Sequence, residues 1–347
     1  MKNVDYIIVG DGFAGLFFAH QLIINGKSFL IFSSGERSAS KVSAGIVNPV
    51  VLKKFTTFWK AQEQLDLLRK TLQEVSVYTG RNYLIEEPVR RIFHDENEKS
   101  NWIKKSADLE MSPFLSDEFQ YFPVIKNDFG TGEVLQSARL DVEGFFAGMS
   151  AYLKDSGSFV KDLFDYRLLD VENSGYGGEI TFSKIIFAEG VQVRDNPFFG
   201  QIPVQPNKGH RIAVKLHVPL PGNETFKKKH FLFKIKEDQY FYGGTYDRLS
   251  TRDGIDDSAL RQLSDGLRDL YPHNFSMEET AWGFRPTVSD RRPILGNHSQ
   301  YRNLFVFNGL GARGILNGCY FAKILYEFAE NGTELPMEVS LKRFTQI

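Results

Sequence analysis

The chain has 347 residues, which suits two domains or one large α/β unit better than one small core. Hydrophobic residues make up 42% of it, and the formal net charge of −1 gives no overall attraction to nucleic acid or to an anionic membrane. The single cysteine, Cys319, excludes a disulfide framework, and no apolar run reaches the ~18 residues of a membrane-spanning helix. Because the N-terminus also lacks the features of a signal peptide, we expect a soluble cytoplasmic protein.

A glycine-rich turn follows the first apolar segment, residues 6–9. That segment is rich in β-branched residues, as buried parallel strands are. The turn has G-x-G-x-x-G spacing, and an apolar helix is predicted over residues 16–24, ending at Gly26. The three glycines of the turn are Gly10, Gly12 and Gly15. Such a turn permits a sharp bend, close approach of phosphate and helix packing, so we predict that the helix N-terminus binds a dinucleotide pyrophosphate.

The second predicted strand, residues 29–32, ends without the acidic residue that dinucleotide-binding folds use for the ribose hydroxyls. The residue there is Ser33, which makes one hydrogen bond but not the bidentate contact of a carboxylate. No Arg or Lys replaces it directly, which argues against the 2′-phosphate of NADP. Glu36 is close enough to substitute if the loop bends back. The strand end therefore leaves the choice of cofactor open.

Three later segments carry a more particular pattern. They are SASKVSAGIVNPV at 38–50, ITFSKIIFAEG at 180–190, and GFRPTVSDRRPILG at 283–296 followed by GLGARG at 309–314. We interpret ITFSKIIFAEG as a hairpin-like pair of apolar runs. In this order the segments resemble the FAD-dependent D-amino-acid oxidase family, which includes glycine and sarcosine oxidases. They also resemble the flavin half of the tRNA-modifying enzyme that demodifies carboxymethylaminomethyl-uridine.

The resemblance covers almost the whole chain and implies an α/β fold. In this family a Rossmann-like FAD-binding domain is interleaved with an α+β substrate domain, whose antiparallel sheet covers the flavin. We expect the FAD-binding domain to comprise residues 1–78, 140–200 and 286–347. We expect the substrate domain to comprise residues 79–139 and 201–285.

Short apolar segments agree with a covering sheet. Between residues 201 and 246, HRIAVKLHV, HFLFKI and QYFYGGTY predict strands separated by turns. Segment 158–171, SFVKDLFDYRLLDV, predicts further alternating strands. The basic run Lys227-Lys228-Lys229 is predicted to be a solvated loop.

The resemblance implies FAD, bound non-covalently, because the cysteine that attaches FAD in sarcosine-oxidase relatives has no counterpart near Gly283. It also implies that the N-terminus of the last helix points at the flavin N1/C2 carbonyl and stabilises the anionic reduced flavin. Two residues depart from the family pattern: Ser33 replaces Glu, and Glu189 stands in a motif that more often reads Ala-Thr-Gly or Ala-Ala-Gly. The residues expected to bind FAD are Gly10, Gly12, Phe13, Ala14, Gly15, Ser33, Ser34, Arg37, Ser43, Ala44, Gly45, Ile46, Val160, Ala188, Glu189, Gly190, Gly311, Arg313, Gly314 and Ile315.

Three residues are candidates for the substrate side of the site. The resemblance implies that Arg285 clamps a substrate carboxylate, since its planar fork donates two parallel hydrogen bonds; the alternative is an Arg that bridges loops near Asp290. Tyr242 lies in a predicted covering strand, where it either presents its hydroxyl to the substrate or packs elsewhere. Asn48 either lies near the flavin ring or forms an Asn-Pro turn.

The seven His residues show no ligand spacing, and there is no Cys cluster, so we predict no metal site. The hypothesis is an FAD-dependent oxidoreductase of the amine or amino-acid oxidase or dehydrogenase type. It oxidises a C–N bond of a small amine or amino acid by hydride transfer to flavin N5, with oxygen or another electron acceptor. Two alternatives stay open: the same chemistry on a modified tRNA nucleoside, and a flavin-binding protein without turnover.

Overall fold

The computed structural model describes residues 2–35 and 38–344. Its strands, in chain order, are β1 (Lys2–Val9), β2 (Phe29–Phe32), β3 (Ile46–Val47), β4 (Val50–Val51), β5 (Thr56–Thr57), β6 (Leu84–Ile85), β7 (Val89–Ile92), β8 (Leu115–Gln120), β9 (Thr131–Val134), β10 (Ala138–Leu140), β11 (Phe159–Val160), β12 (Leu169–Asp170), β13 (Gly175–Tyr176), β14 (Ile180–Phe187), β15 (Gln205–Leu216), β16 (Thr225–Lys227), β17 (Phe231–Lys234), β18 (Gln239–Gly243), β19 (Phe275–Thr287), β20 (Ile294–Asn297) and β21 (Leu304–Asn308). Its α-helices are α1 (Phe13–Ile24), α2 (Ala61–Thr79), α3 (Glu96–Ser106), α4 (Val142–Asp155), α5 (Asp257–Leu270) and α6 (Gly314–Asn331).

The first large sheet is mainly parallel and holds the N-terminal strand at its centre. Its strand order is β11-β2-β1-β14-β13-β12, with β21 added beside β14 and β20 beside β21. Strand β1 runs parallel to both β2 and β14, and Val9 pairs with Phe32 on one side and with Phe187 on the other. Three strands therefore end at one edge of the sheet, which is where nucleotides bind in such folds.

Helices α1 and α6 pack together on one face of this sheet, and a second apolar cluster fills the other face. The four residues of β2 are all buried, as expected for a strand covered on both sides. Helix α1 ends at Ile24, and the chain leaves it through Gly26 with φ +64°. The predicted strand, glycine turn, helix and second strand are confirmed.

Segment 180–190 corrects one prediction. It is not a hairpin, because residues 180–187 form the single strand β14, paired in parallel with β1 along its length. The polar pair Ser183-Lys184 separates the two apolar runs without a turn: Ser183 is exposed, and Lys184 Nζ donates to Glu330 Oε1 at 2.6 Å. Segment 158–171 also differs, since it holds only the two-residue strands β11 and β12 with a 3₁₀ turn, Tyr166–Leu168, between them.

The second large sheet has the order β19-β15-β18-β17-β16-β7-β9-β8, and its neighbours are antiparallel except β16 and β7. Helix α5 covers one face, where Leu263 and Leu267 join a core with Ile212 and Tyr242. The strands predicted in residues 201–246 are confirmed as β15, β17 and β18. The α/β fold class, with a mainly parallel Rossmann-like sheet and an antiparallel second sheet, is confirmed.

The basic run is not a solvated loop throughout. Lys227 ends strand β16, where it pairs with Phe231 on one side and with Arg91 on the other. It is half-buried, and only Lys229 of the three lysines is exposed. The neighbouring Phe226 explains why Lys227 is not in a loop. Phe226 is fully buried under α5, so strand β16 continues to the next residue, Lys227.

Candidate cofactor and substrate site

The glycine turn lies at the shared edge of β1, β2 and β14. Gly10 has φ +107°, and a Cβ there would lie 2.5 Å from the carbonyl oxygen of Ala188, the residue that follows β14. A Cβ at Gly15 would lie 1.9 Å from the carbonyl oxygen of Gly10. Side chains at these two positions would separate the turn from the sheet, so the glycines are required by close backbone contact.

The N-terminus of α1 faces the small-residue segment 38–45. Gly12 provides no side-chain cap, and the N–H of Phe13 donates instead to Ser40 Oγ at 3.2 Å. A Cβ at Gly12 would lie 3.2 Å from the same oxygen. Ser43 Oγ is buried and makes no hydrogen bond within residues 2–35 and 38–344. A helix N-terminus without a side-chain cap beside a buried, unsatisfied hydroxyl fits a phosphate-bearing cofactor.

Ser33 makes two hydrogen bonds at the end of β2. Its Oγ accepts from the N–H of Gly35 at 3.2 Å, and its own N–H donates to the carbonyl oxygen of Val160 at 3.0 Å. The structure therefore brings Ser33 and Val160 together, while Ser34 is exposed beside them. Glu36, the suggested substitute for the ribose acid, and Arg37, predicted to bind FAD, lie outside the described residues.

Glu189 stands just beyond the end of β14, next to the glycine turn. Tyr166 Oη donates to one of its carboxylate oxygens, and Asn196 Nδ2 donates to the other at 2.8 Å. Burial raises the pKa of Glu189 to about 7, although these two hydrogen bonds act to lower it. The adjacent Gly190 accepts through its carbonyl oxygen from Asn308 Nδ2 at 2.9 Å, which ties this turn to the end of β21.

The N-terminus of α6 meets that of α1. A 3₁₀ turn, Gly311–Arg313, leads into α6 at Gly314, where a Cβ would lie 3.1 Å from the Phe13 ring. The Arg313 guanidinium lies 4.7 Å from the centre of the Phe58 ring, and burial lowers its pKa. The predicted residues of both helix ends, including buried Ile315, are thus neighbours.

Arg285 lies near the end of β19, opposite Asn207 of β15. Its Nη1 donates to the carbonyl oxygen of Thr245 at 3.0 Å and to Asn207 Oδ1 at 3.4 Å, and the guanidinium lies 4.4 Å from the centre of the Tyr246 ring. No acidic side chain in the described ranges forms an ion pair with it, and burial lowers its pKa. The side chain crosses Gly209, where a Cβ would lie 2.3 Å from Nη2.

Strand β19 also contacts segments predicted to surround the flavin. A Cβ at Gly283 would lie 3.0 Å from Ala39 Cα, and a Cβ at Gly190 would lie 4.0 Å from the Pro286 ring. A Cβ at Gly311 would similarly lie 4.0 Å from the Thr287 methyl group. The strand that carries Arg285 is therefore held directly beside the proposed cofactor cradle. Asp290 pairs with Arg343 at 2.9 Å, and Arg285 instead bridges Asn207 and Thr245.

Tyr242 requires a correction. Its side chain lies on the α5 face of the second sheet, where a Cβ at Gly266 would lie 2.9 Å from the Tyr242 hydroxyl. Tyr242 pairs with Ile212 of β15, and His210, two residues from Ile212, lies on the same face. Because strand residues alternate, Gly209 lies on the opposite face, together with Arg285. Tyr242 is therefore not part of the site. The sequence does not reveal which face of the sheet α5 covers.

Asn48 accepts the N–H of Val50 at 2.7 Å through Oδ1, which is the Asn-Pro turn that the sequence allows. The residues that sequence reasoning missed are Asn207 and Thr245, which hold Arg285, and Gly209, which makes room for it. Gly209 directly precedes the predicted strand HRIAVKLHV, and only the longer β15 places it inside a strand, where a glycine marks close approach of another group. No local sequence signal marks Asn207 or Thr245, since only the folding of the second sheet brings them to Arg285.

Together, a glycine cradle at a parallel-sheet edge and a covering antiparallel sheet define a flavoprotein-type, dinucleotide-dependent oxidoreductase. The sequence profile of the DAO family, described as FAD dependent oxidoreductase, matches residues 5–328. The chain belongs to this family, and FAD is its cofactor. No helix of the described ranges combines the length and apolar character needed to cross a membrane.

Curated relatives agree with the family at low identity. The glycine oxidase of Geobacillus kaustophilus is 25% identical over 360 residues, covering 90% of this chain and 89% of the relative. The bifunctional protein ThiO/ThiG of Nostoc is 21% identical and the chain covers 50% of it. The tRNA 5-methylaminomethyl-2-thiouridine biosynthesis bifunctional protein MnmC of Campylobacter jejuni is 23% identical and the chain covers 46% of it. The chain thus spans about half the length of these two bifunctional relatives.

Solved structures show the same fold along the whole chain. The glycine oxidase from Geobacillus kaustophilus superposes with a TM-score of 0.80 at 20% identity, covering 97% of each chain. The iminodiacetate oxidase from Chelativorans superposes with a TM-score of 0.79 at 21% identity, covering 96% of this chain and 97% of the other.

Proposed function

We propose that this FAD-dependent oxidoreductase oxidises the C–N bond of a small amine or amino acid that carries a carboxylate. The observation that carries the proposal is Arg285, a half-buried guanidinium beside the cofactor cradle without an acidic partner among the described residues. Burying an uncompensated cation is costly, so a site that keeps one there is suited to an anionic ligand. A carboxylate fits the planar fork of an Arg in a bidentate geometry.

The protein's part in this reaction is binding and orientation. Arg285 holds the carboxylate. Hydrogen bonds to Asn207 and Thr245 fix the guanidinium before binding, so little side-chain conformational entropy is lost when the carboxylate binds. FAD, held in the proposed cofactor cradle, would supply the acceptor for the hydride lost from the substrate's α-carbon. The resulting imine hydrolyses in water. No side-chain base is required if the amine arrives neutral, since its lone pair assists the loss of hydride.

The residues proposed to hold FAD are those of the glycine turn, the end of β2, segment 43–46 and the two helix N-termini. The close backbone contacts at Gly10 and the unsatisfied Ser43 hydroxyl support this assignment. We propose non-covalent attachment, because Cys319 is buried inside α6 and burial raises its thiol pKa to about 12. A thiol with that pKa is a poor nucleophile at neutral pH.

The proposal extends to the domain division and the setting. We assign residues 1–78, 140–200 and 286–347 to the FAD-binding domain and residues 79–139 and 201–285 to the substrate domain. The mainly parallel sheet and the antiparallel sheet support this division. Oxygen is the electron acceptor to test first. A cytoplasmic location is supported by the single, buried cysteine, which suits a reducing compartment.

Names of relatives support an amine substrate, since two of the similar proteins are called glycine oxidase and iminodiacetate oxidase. The relative named for tRNA nucleoside biosynthesis supports the second hypothesis, a modified nucleoside. The net charge of −1 argues against it, because nucleic-acid binding draws on basic surface.

The test is anaerobic reduction by a panel of amines. We expect the purified protein to contain FAD that acid releases into the supernatant, and we expect a small carboxylated amine to bleach the flavin absorbance. The imine product is then trapped as the corresponding carbonyl compound. An FAD-loaded protein that no amine in the panel bleaches would contradict the proposed function.

A further inference from the structure

Arg285 shares its face of the second sheet with another basic residue, Lys227. Strand pairing links Lys227 to Phe231, Phe231 to Gly243, and Gly243 to Arg211. Arg211, Gly209 and Asn207 alternate along β15, and Asn207 pairs with Arg285. Since paired residues point to the same side of a sheet, Lys227 and Arg285 both project away from α5.

The surface around Lys227 is aromatic. Phe233 and Phe241 stack with ring centroids 4.6 Å apart, and Lys227 Nζ lies 4.3 Å from the centre of the Phe231 ring. All three rings lie on the face that carries Arg285, and Phe231 packs against the core shared with the first sheet. Such a surface offers apolar contact to a short carbon chain, and it strengthens nearby charge interactions by lowering the local dielectric constant.

Arg211 also projects from this face, and its guanidinium lies 5.8 Å from the centre of the Phe241 ring. Two further cations near the face have acidic partners. Arg91 pairs with Glu98 at 2.5 Å, and Arg139 pairs with Glu87 at 3.1 Å. Lys227 differs: its Nζ donates to the carbonyl oxygen of Lys229 at 2.8 Å, and no acid within residues 2–35 and 38–344 forms an ion pair with it. Arg285 lacks such a pair as well. Lys227 and Arg285 are therefore two half-buried cations on one face of the sheet, and neither forms an ion pair with a carboxylate of the described residues.

The electrostatics of Lys227 agree with this geometry. Burial, followed by the positive charges of Arg91 and Arg285, lowers its pKa to about 8. An anion bound between Lys227 and Arg285 would relieve both the desolvation and the repulsion.

We propose that Lys227 forms a second anion site, so that the substrate is an amine with two acidic groups. Arg285 binds the acid next to the reacting C–N bond, and Lys227 binds the second acid across the aromatic surface. That the bound diacid is a substrate rests on the proposed function. The second anion site itself does not, because a diacid binds there whether or not it reacts.

The first test compares sarcosine with N-carboxymethylglycine, which differs by one added carboxylate. We expect the native enzyme to prefer the diacid, and Lys227→Met to reduce the ratio of the two kcat/KM values by about 10-fold or more, as loss of a charge-assisted contact does. Lys227→Arg should retain most of the preference. Lys229→Met, which changes an exposed lysine two residues away, should leave the ratio unaltered.

The second test needs no turnover. Acetate and malonate are titrated against the FAD-loaded protein, and binding is followed through the flavin spectrum and the melting temperature. We expect malonate to bind more tightly than acetate, with an advantage that Lys227→Met removes and Lys227→Arg retains. Equal binding of the two acids, or an advantage that survives in Lys227→Met, would overturn the second anion site. If malonate behaves as expected but no amine bleaches the flavin, only the proposed function fails.

Discussion

The cofactor edge of the first sheet and the substrate face of the second sheet are built in different ways. At the edge, Gly10, Gly12 and Gly15 lie within six residues of one another. Gly10 and Gly15 closely approach backbone carbonyl oxygens, and Gly12 approaches Ser40 Oγ. On the face, Arg285 depends on Asn207 and Thr245, which lie 78 and 40 residues away. A phosphate cradle is thus encoded locally, whereas a substrate surface is assembled through strand register. Substitutions in the two regions should therefore affect different quantities.

The largest expected effect is at the cofactor edge. Gly12→Val places a branched side chain beside Ser40 Oγ, where even a Cβ would lie at 3.2 Å, and in the space where phosphate approaches the turn. We expect FAD affinity to fall by at least about 100-fold, or roughly 3 kcal/mol, while the second sheet stays folded. Equilibrium dialysis with FAD and circular dichroism measure the two quantities.

A matched control is Gly26→Asn, at the end of α1. Gly26 also has a positive φ, +64°, but a Cβ there meets no atom of the described chain within 4 Å, and Asn tolerates this conformation. We expect FAD binding to be retained. If Gly12→Val bound FAD as tightly as this control, the glycine turn would not be the pyrophosphate site.

The next effect concerns pH and belongs to the substrate face. Lys227 has a pKa of about 8, and the charges that face it are those of Arg91 and Arg285. Because Lys227 loses its proton as pH rises through that value, malonate affinity should fall by about 10-fold from pH 7 to pH 9. Acetate, which needs only Arg285, should show little change. A malonate profile that is flat over this range would contradict a role for the Lys227 charge.

The smallest effect is expected on the far side of the same sheet. Tyr242→Phe removes a hydroxyl that lies beneath α5, on the face opposite Arg285. We expect kcat/KM to change by less than about 2-fold, since no substrate contact is lost. Steady-state kinetics on the preferred amine measure this. A loss of 10-fold or more would mean that the α5 face contributes to the reaction.

Sequence reasoning reached the parts of the molecule that depend on short-range patterns. The strand, glycine turn and helix over residues 6–24 follow from periodicity and from the steric needs of Gly10 and Gly15. It failed where long-range packing decides. Segment 180–190 looked like two runs because the polar pair Ser183-Lys184 interrupts it. In the fold Ser183 is exposed, and Lys184 donates to Glu330, 146 positions away.

The same limit applies to the face of a strand. Alternation along a strand does not say which of its faces is covered, and only the position of α5 shows that the face of Tyr242 is. Lys227 was assigned to a loop because three consecutive lysines suggest a solvated segment, whereas pairing with Phe231 and Arg91 places it in the sheet. Strand register across four strand pairs places Lys227 and Arg285 on the same face of the sheet, and no local sequence pattern encodes that register.

The central claim is that Arg285 binds the carboxylate of an amine substrate. It is tested most directly by measuring kcat/KM for sarcosine and for sarcosine amide with native enzyme and with Arg285→Lys, in a double-mutant-style cycle. Arg261→Lys, an exposed change on α5, serves as the control. We predict that Arg285→Lys lowers kcat/KM for sarcosine by about 10- to 150-fold, corresponding to about 1.5–3 kcal/mol for a charge-assisted hydrogen bond, and for the amide by much less. Equal losses on the two substrates would contradict the claim and show that Arg285 only holds Thr245 and Asn207 in place.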